Sequence, residues 1–300
     1  MKKLIILALI GLVAQLIDGS LGMAYGLTST SLLLAFGIAP AVASASVHFA
    51  EVVTTAASGA SHIRFGNVDR KIIFRLIIPG SIGAFTGACF LSNLPGDAVK
   101  PYISFFLLFL GFFILYRFLF KKNTKPADHE KAFSRKQLIP LGLVAGFLDA
   151  TGGGGWGPVA TPVLLAKNGT TTRKVIGSVD TSEFAVAVSA TLGFLISLGW
   201  EQVNWMWVIA LMAGGLIAAP VAAWLVRIIP SHILGVVVGG LIIVTNARTL
   251  LQSAGISGTA LQSVYTVLVV VWLAAIFFSI RKNKKHSFSA GPQTESTNLH

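Results

Sequence analysis

The stretch GLVAQLIDGSLGMAYG at residues 11–26 returns, with the same spacing, as GLVAGFLDATGGGGWG at residues 142–157. Asp18 matches Asp149, Gly22 matches Gly153, Gly26 matches Gly157 and Thr30 matches Thr161. A one-residue insertion near Asn168 lets the match continue, Ser46 with Ser178, Val47 with Val179 and Glu51 with Glu183, and Pro95 recurs later as Pro230. Each copy is a glycine-rich break, with an acid just ahead of it, set inside an apolar segment. One such break per half is the mark of a membrane protein built from two repeats, with a binding site between them.

Composition agrees with that reading. The 300 residues are 54% hydrophobic and only 11% charged, a balance that soluble domains do not show. Apolar runs of roughly 20 residues, the length a bilayer core requires, recur at 72–91, 102–120, 205–226, 233–251 and 261–280. The net charge of +12 does not point to nucleic acid. Its basic residues sit in short loops and tails, such as Lys121, Lys122, Lys125, Lys131, Arg135 and Lys136, without the interleaved aromatics of a binding module. Cys89 is the only cysteine, which excludes a disulfide within the chain and a cysteine metal site. The opening Met1-Lys2-Lys3 and the apolar stretch after it look like a signal peptide. An internal copy from Leu138 matches that stretch, so we read it as part of the mature fold.

The expected fold is an all-α polytopic membrane protein of two repeats. Residues 1–120 form the first, 121–136 a lysine-rich cytoplasmic linker and 137–252 the second. An unmatched span follows at 259–280, then a disordered tail at 281–300. The first two segments of each half (4–16 and 24–36; 138–148 and 156–166) look too short to cross alone. Each pair is therefore either one broken span or a re-entrant hairpin. If both pairs span, 14 of the 23 basic residues fall on the cytoplasmic side; if both are hairpins, 19 do. The positive-inside rule favours hairpins. Three full spans then remain per half, an odd number, and the two repeats are inverted relative to each other.

The breaks are the expected site. Glycines free the backbone of Gly22, Ala24, Tyr25 and Gly26, and of Gly153, Gly154, Gly155 and Trp156, from helix geometry. Half-helices beginning near Ala24 and Trp156 aim their N-termini at whatever sits there, giving an anion site without lysine or arginine. Thr28, Thr30 and Thr161 add hydroxyls. The alternative is close helix packing through small residues. Asp18 and Asp149 either accept hydrogen bonds from the loop N–H groups or carry a coupling proton. Ser44, His48, Glu51, Thr55, Ser58 and His62 share one helix face, and Ser178, Asp180 and Glu183 belong to its counterpart. His48 stands opposite Asp180 in the alignment, which breaks the symmetry of the path. His48 either holds an anion or relays a proton, and a buried His48–Glu51 pair that only fixes packing is the plainer alternative. No metal-ligand spacing, nucleophilic triad or P-loop ending occurs, so neither an enzyme nor a cofactor is expected.

At these residues the chain resembles the TauE/SafE family, also called the toluene sulfonate uptake permease family. GSLGMAYG, TGGGGWGP and the serine/glutamate helices that follow carry the resemblance, over 4–280. It implies movement of small sulfur-containing oxyanions (sulfite, sulfoacetate, thiosulfate or organosulfonates) across the cytoplasmic membrane, with export the commoner assignment. An anion channel of similar architecture is the alternative. The expected partners are that small anion and the lipid bilayer; nothing in the sequence assigns an oligomeric state.

Overall fold

The computed structural model describes residues 2–21, 23–120, 134–166, 172–225 and 231–289. Among them the only regular structure is helical. The order is α1 (Lys2–Leu21), α2 (Tyr25–Ala35), α3 (Pro40–Arg64), α4 (Arg70–Ser92), α5 (Gly96–Phe120), α6 (Arg135–Gly152), α7 (Trp156–Ala166), α8 (Thr172–Leu198), α9 (Trp205–Leu225), α10 (Ser231–Ser253) and α11 (Gly258–Ser289). A single 3-10 turn, Trp200–Gln202, precedes α9. α4, α5, α8, α10 and α11 contain stretches long and apolar enough to cross a bilayer. The linker 121–133 and the far tail lie outside the described residues.

Helix bounds follow the sequence repeat. α1 and α6 stop at the matched positions Leu21 and Gly152, and α2 and α7 begin at the matched Tyr25 and Trp156. Local chemistry explains the stops. Gly153 sits in the left-handed region at φ 67° and takes the C-cap of α6; Ala24, at φ 101°, occupies the position before α2.

The first helix of each half is longer than its apolar run suggests. α1 has 20 residues and α6 has 18, where the apolar segments end at 16 and 148. The backbone ladder continues through Asp18 and Asp149, because the protein around these acids gives their carboxylates polar partners. At ~1.5 Å per residue, α1 and α6 cover ~30 and ~27 Å, and only the 11-residue α2 and α7 remain short, at ~16 Å.

The halves interlock. α1 packs along α9 of the other half, and α6 packs along α4. Both seams depend on absent side chains. A Cβ on Gly11 would strike the Leu211 carbonyl, one on Gly214 the Ala8 carbonyl, one on Gly83 the Leu143 carbonyl and one on Gly146 the Gly80 carbonyl. This is small-residue packing, which lets backbones approach where no solvent drives apolar surfaces together. α3 crosses α8 at the centre, with Gly59 against Thr181 and the His48 ring 5.9 Å from the Phe194 ring. α5 pairs with α10 through Gly111 and Gly239. α11 packs chiefly on α10, where Trp272 covers Gly240, and otherwise shows apolar surface such as Val267, Val271 and Phe277.

Three contacts orient the helices. The N–H of Asp69, whose carboxylate caps the start of α4, donates to Ser178 Oγ at 2.7 Å, so α8 begins at the end of the bundle where α3 hands over to α4. α6 runs parallel to α4, with Gly142 against Pro79 and Gly87 against Phe147 and Ala150, so it begins at that end too. Gly96, the first residue of α5, lies beside Ala39 and Pro40, which puts the start of α3 at the opposite end.

Candidate functional site where the two breaks meet

The two breaks touch. A Cβ on Gly26 would lie 2.7 Å from both the Gly153 carbonyl oxygen and Gly154 Cα, and 2.9 Å from Glu51 Oε1. Thr30 Oγ1 donates to the Gly153 carbonyl at 2.6 Å across the same contact. Glycine is required at this point for two separate reasons. Gly26 and Gly154 leave room for the other backbone, while Gly153 and Gly154 hold positive φ values of 67° and 150°. Residues 23–34 of the first break and its half-helix are almost wholly buried, including Thr28, Ser29, Thr30 and Ser31.

Each break is organised by its acid. Asp149 Oδ1 accepts from the backbone N–H of Gly155 at 2.6 Å and of Trp156 at 2.9 Å, and its own carbonyl accepts from Gly154 N–H at 3.0 Å. Asp18 Oδ1 accepts from Tyr25 N–H at 3.2 Å, the repeat-equivalent bond to that of Trp156. Both carboxylates therefore sit on the N-terminus of a half-helix, where an anion is favoured.

α3 reads the second break from the first half. Ser44 Oγ donates to the Ala150 carbonyl at 2.6 Å, His48 Nε2 lies 3.2 Å from Asp149 Oδ2, and Glu51 Oε2 stands 3.9 Å from the same His48 nitrogen. His48, Glu51 and Asp149 are each at most 1% exposed. On α8, Asp180 lies 3.8 Å from His62 and within electrostatic reach of Asp18. Partly buried Glu183 is within reach of Glu51, Asp18, Asp149 and Asp180. The positions aligned with His48 and Asp149 in the other half are thus two acids, Asp180 and Asp18, within electrostatic reach of each other. Among the described residues no lysine or arginine is buried, and no group of His, Cys, Asp and Glu has the geometry to hold a metal ion.

Several buried hydroxyls of the two half-helices have no hydrogen-bond partner in the protein: Tyr25 Oη, Thr28 Oγ1, Ser29 Oγ and Thr161 Oγ1. A buried polar atom without a partner is costly, so such a group marks where a polar guest or water belongs. Of the residues singled out from sequence, Ala24, Tyr25, Gly26, Thr30, His48, Glu51, Asp149, Gly153, Gly154, Gly155 and Trp156 come together here. Gly22 lies outside the described residues. Ser178 stands apart, holding the Asp69 N–H at the start of α4. Trp156 is a packing residue as well, with its ring against Gly80 and its Nε1–H donating to the Val179 carbonyl at 3.1 Å. Sequence reasoning missed Asn246, buried in α10, whose Nδ2 donates to Ser31 Oγ at 2.7 Å and ties α10 to α2. A lone asparagine inside an apolar run was the available signal.

A bundle of apolar helices, broken twice at a buried polar crossing, is a multi-pass membrane transporter. Residues 7–249 match the family described as Sulfite exporter TauE/SafE, and the chain belongs to that family. It is 66% identical over 285 residues, 94% of each chain, to the probable membrane transporter protein YtnM of Bacillus subtilis (strain 168). It is 27% identical over 238 residues, 78% of this chain and 93% of the relative, to the probable membrane transporter protein YdhB of the same organism. No solved structure matches it.

Proposed function

We propose that this protein is a secondary transporter that carries small sulfur-containing oxyanions, such as sulfite, thiosulfate, sulfoacetate or an organosulfonate, across the cytoplasmic membrane, in the export direction. The observation that carries this reading is the meeting of two half-helix N-termini, at Tyr25 and Trp156, over a glycine contact in a chain of the TauE/SafE family. The carboxylates of Asp18 and Asp149 sit where an oxyanion's oxygens belong, on backbone N–H groups at helix starts. They mark the anion-favouring ends of the half-helices, and the oxyanion binds beside them, with the buried hydroxyls of Thr28, Ser29 and Thr161, which have no hydrogen-bond partner in the protein, as further donors.

The same reading takes the two repeats as inverted and their first helix pairs as re-entrant. Its support is that α6 and α8 begin at one end of the bundle, so α7, which joins the break to α8, runs back toward the end from which α6 came. In the first half, α3 starts from the opposite end. Both breaks then lie at membrane depth, where irregular backbone survives only when buried or lining a polar cavity.

Purified protein in liposomes tests the substrate class. Loaded vesicles should release labelled sulfite, thiosulfate or sulfoacetate well above the rate of empty vesicles, and chloride should not compete. Indifference to all three sulfur oxyanions, or single-channel currents in a planar bilayer, would overturn the carrier reading.

A further inference from the structure

The hydrogen bonds at the crossing assign a proton. Ser44 Oγ–H is spent on the Ala150 carbonyl at 2.6 Å. His48 Nδ1 lies 2.8 Å from the Ser44 carbonyl oxygen and 3.3 Å from Ser44 Oγ. A carbonyl has no hydrogen to give, so Nδ1 carries the hydrogen and donates. In a neutral imidazole the other nitrogen then has only a lone pair. Yet Nε2 faces Asp149 Oδ2 at 3.2 Å, and two lone pairs do not make that contact. Nε2 therefore carries a proton as well and donates it to the carboxylate, which is held in place because its Oδ1 accepts from Gly155 N–H and Trp156 N–H.

We propose that the His48–Asp149 crossing is a proton-binding site, and that the proton it holds travels with the oxyanion. This rests on the transport reading above and names its coupling ion. The charge around the site gives the reason. Glu51 Oε2 on α3 lies 3.9 Å from His48 Nε2 and makes no hydrogen bond, Glu183 on α8 and Asp18 on α1 stand within electrostatic reach of Asp149 or Glu51, and Asp180 on α8 pairs with His62 on α3 at 3.8 Å. The Tyr25 hydroxyl on α2, buried and without a hydrogen-bond partner, is within electrostatic reach of Glu51 and Asp18, and the Phe194 ring lies 5.9 Å from that of His48. An anion entering here meets carboxylates and, among the described residues, no buried lysine or arginine. With its proton the His48–Asp149 pair is net neutral; without it the pair repels the anion. Proton and anion therefore favour each other's binding, and by reciprocity each raises the other's affinity. In the other half the position aligned with His48 is taken by Asp180, which lies 3.8 Å from His62.

Thiosulfate and sulfoacetate are the suitable probes, since both stay fully ionised near neutral pH and bring no transferable proton of their own. Wild-type protein is placed in liposomes holding a pH-sensitive dye, and the melting temperature of the detergent-solubilised protein is followed from pH 6 to 9. Entry of either probe should acidify the lumen, and an imposed pH gradient should drive its accumulation. His48→Gln and Asp149→Asn should lose both effects. The wild-type melting temperature should fall by roughly 2–4 °C as alkali removes the shared proton, and H48Q should flatten that slope. Probe flux with no lumenal acidification would overturn the proposal, as would a melting profile in H48Q that follows the wild type. If no sulfur oxyanion moves but the alkaline fall is present and H48Q abolishes it, the proton site stands and the substrate reading fails.

Discussion

At the scale of single residues, the crossing concentrates unusual backbone. Ala24 holds φ 101°, a left-handed value that a Cβ disfavours by about 1–2 kcal/mol, and it is buried at 4% exposure. Replacing it with glycine removes that cost. Ala24→Gly should raise the melting temperature of the purified protein by a few degrees, and a fall would show that the methyl group's packing outweighs the strain. Gly153 presents the opposite case. A Cβ there would strike Thr30 in addition to straining a backbone at φ 67°. Gly153→Val should therefore abolish transport, and Thr30→Ala should not restore it, because the Thr30 Cβ itself lies 2.9 Å from that position. Recovery of transport in the double variant would place the whole effect in the side-chain clash.

Residue types announced the acids and glycines, but not their bonds. Asp149 was legible as an acid before a break. That it closes Gly155 and Trp156 N–H on one oxygen and meets His48 on the other depends on α3 lying across the tip of α6. No local pattern carries that crossing. Ser178 shows the same gap: the alignment places it level with Ser46, yet its hydroxyl serves the Asp69 N–H at the far end of α8.

At the scale of elements, the repeat foretold where helices start better than how far they run. Tyr25 and Trp156 open α2 and α7 in register, because the glycine break is a backbone signal that acts locally. The lengths of α1 and α6 were not legible in the same way. Hydropathy stops at the acid, while the helical ladder does not. The α4–α6 seam yields a test of its own. Gly83, Gly87 and Gly146 each let a carbonyl of the neighbouring helix approach. Overpacking such a seam costs about 1–3 kcal/mol, and more where the obstacle is backbone. Gly146→Val should lower the melting temperature and the yield of folded protein far more than Gly199→Val. Gly199 has open space around it and is strained only by its own φ of 80°.

At the scale of the whole molecule, α11 lies beyond the family-matched residues 7–249. It adds one membrane-length apolar helix to those of the halves. In the re-entrant reading the chain makes seven full crossings, so its ends face opposite compartments. Cys89 is the only cysteine, so Cys89→Ser supplies a background for single-cysteine labelling. Cysteines placed near Lys3 and near the C-terminus should react with a membrane-impermeant reagent from opposite sides; labelling from one side would remove the inverted-repeat reading.

The interlocking of α1 with α9 and of α6 with α4 also sets a schedule for biogenesis. α1 leaves the ribosome first, yet the helix it packs along begins only at Trp205. At about 5–20 residues per second, that wait is roughly ten to forty seconds. Throughout it, the glycines of α1 and the carboxyl of Asp18 sit in lipid, or against whatever insertion machinery shelters them. Neither half is thus a self-sufficient folding unit. Expressed separately, residues 1–120 and 134–289 should each be degraded in the cell, and expressed together they should protect one another and restore transport. A protease-resistant first half made alone would show that the early helix finds its seat before its partner exists.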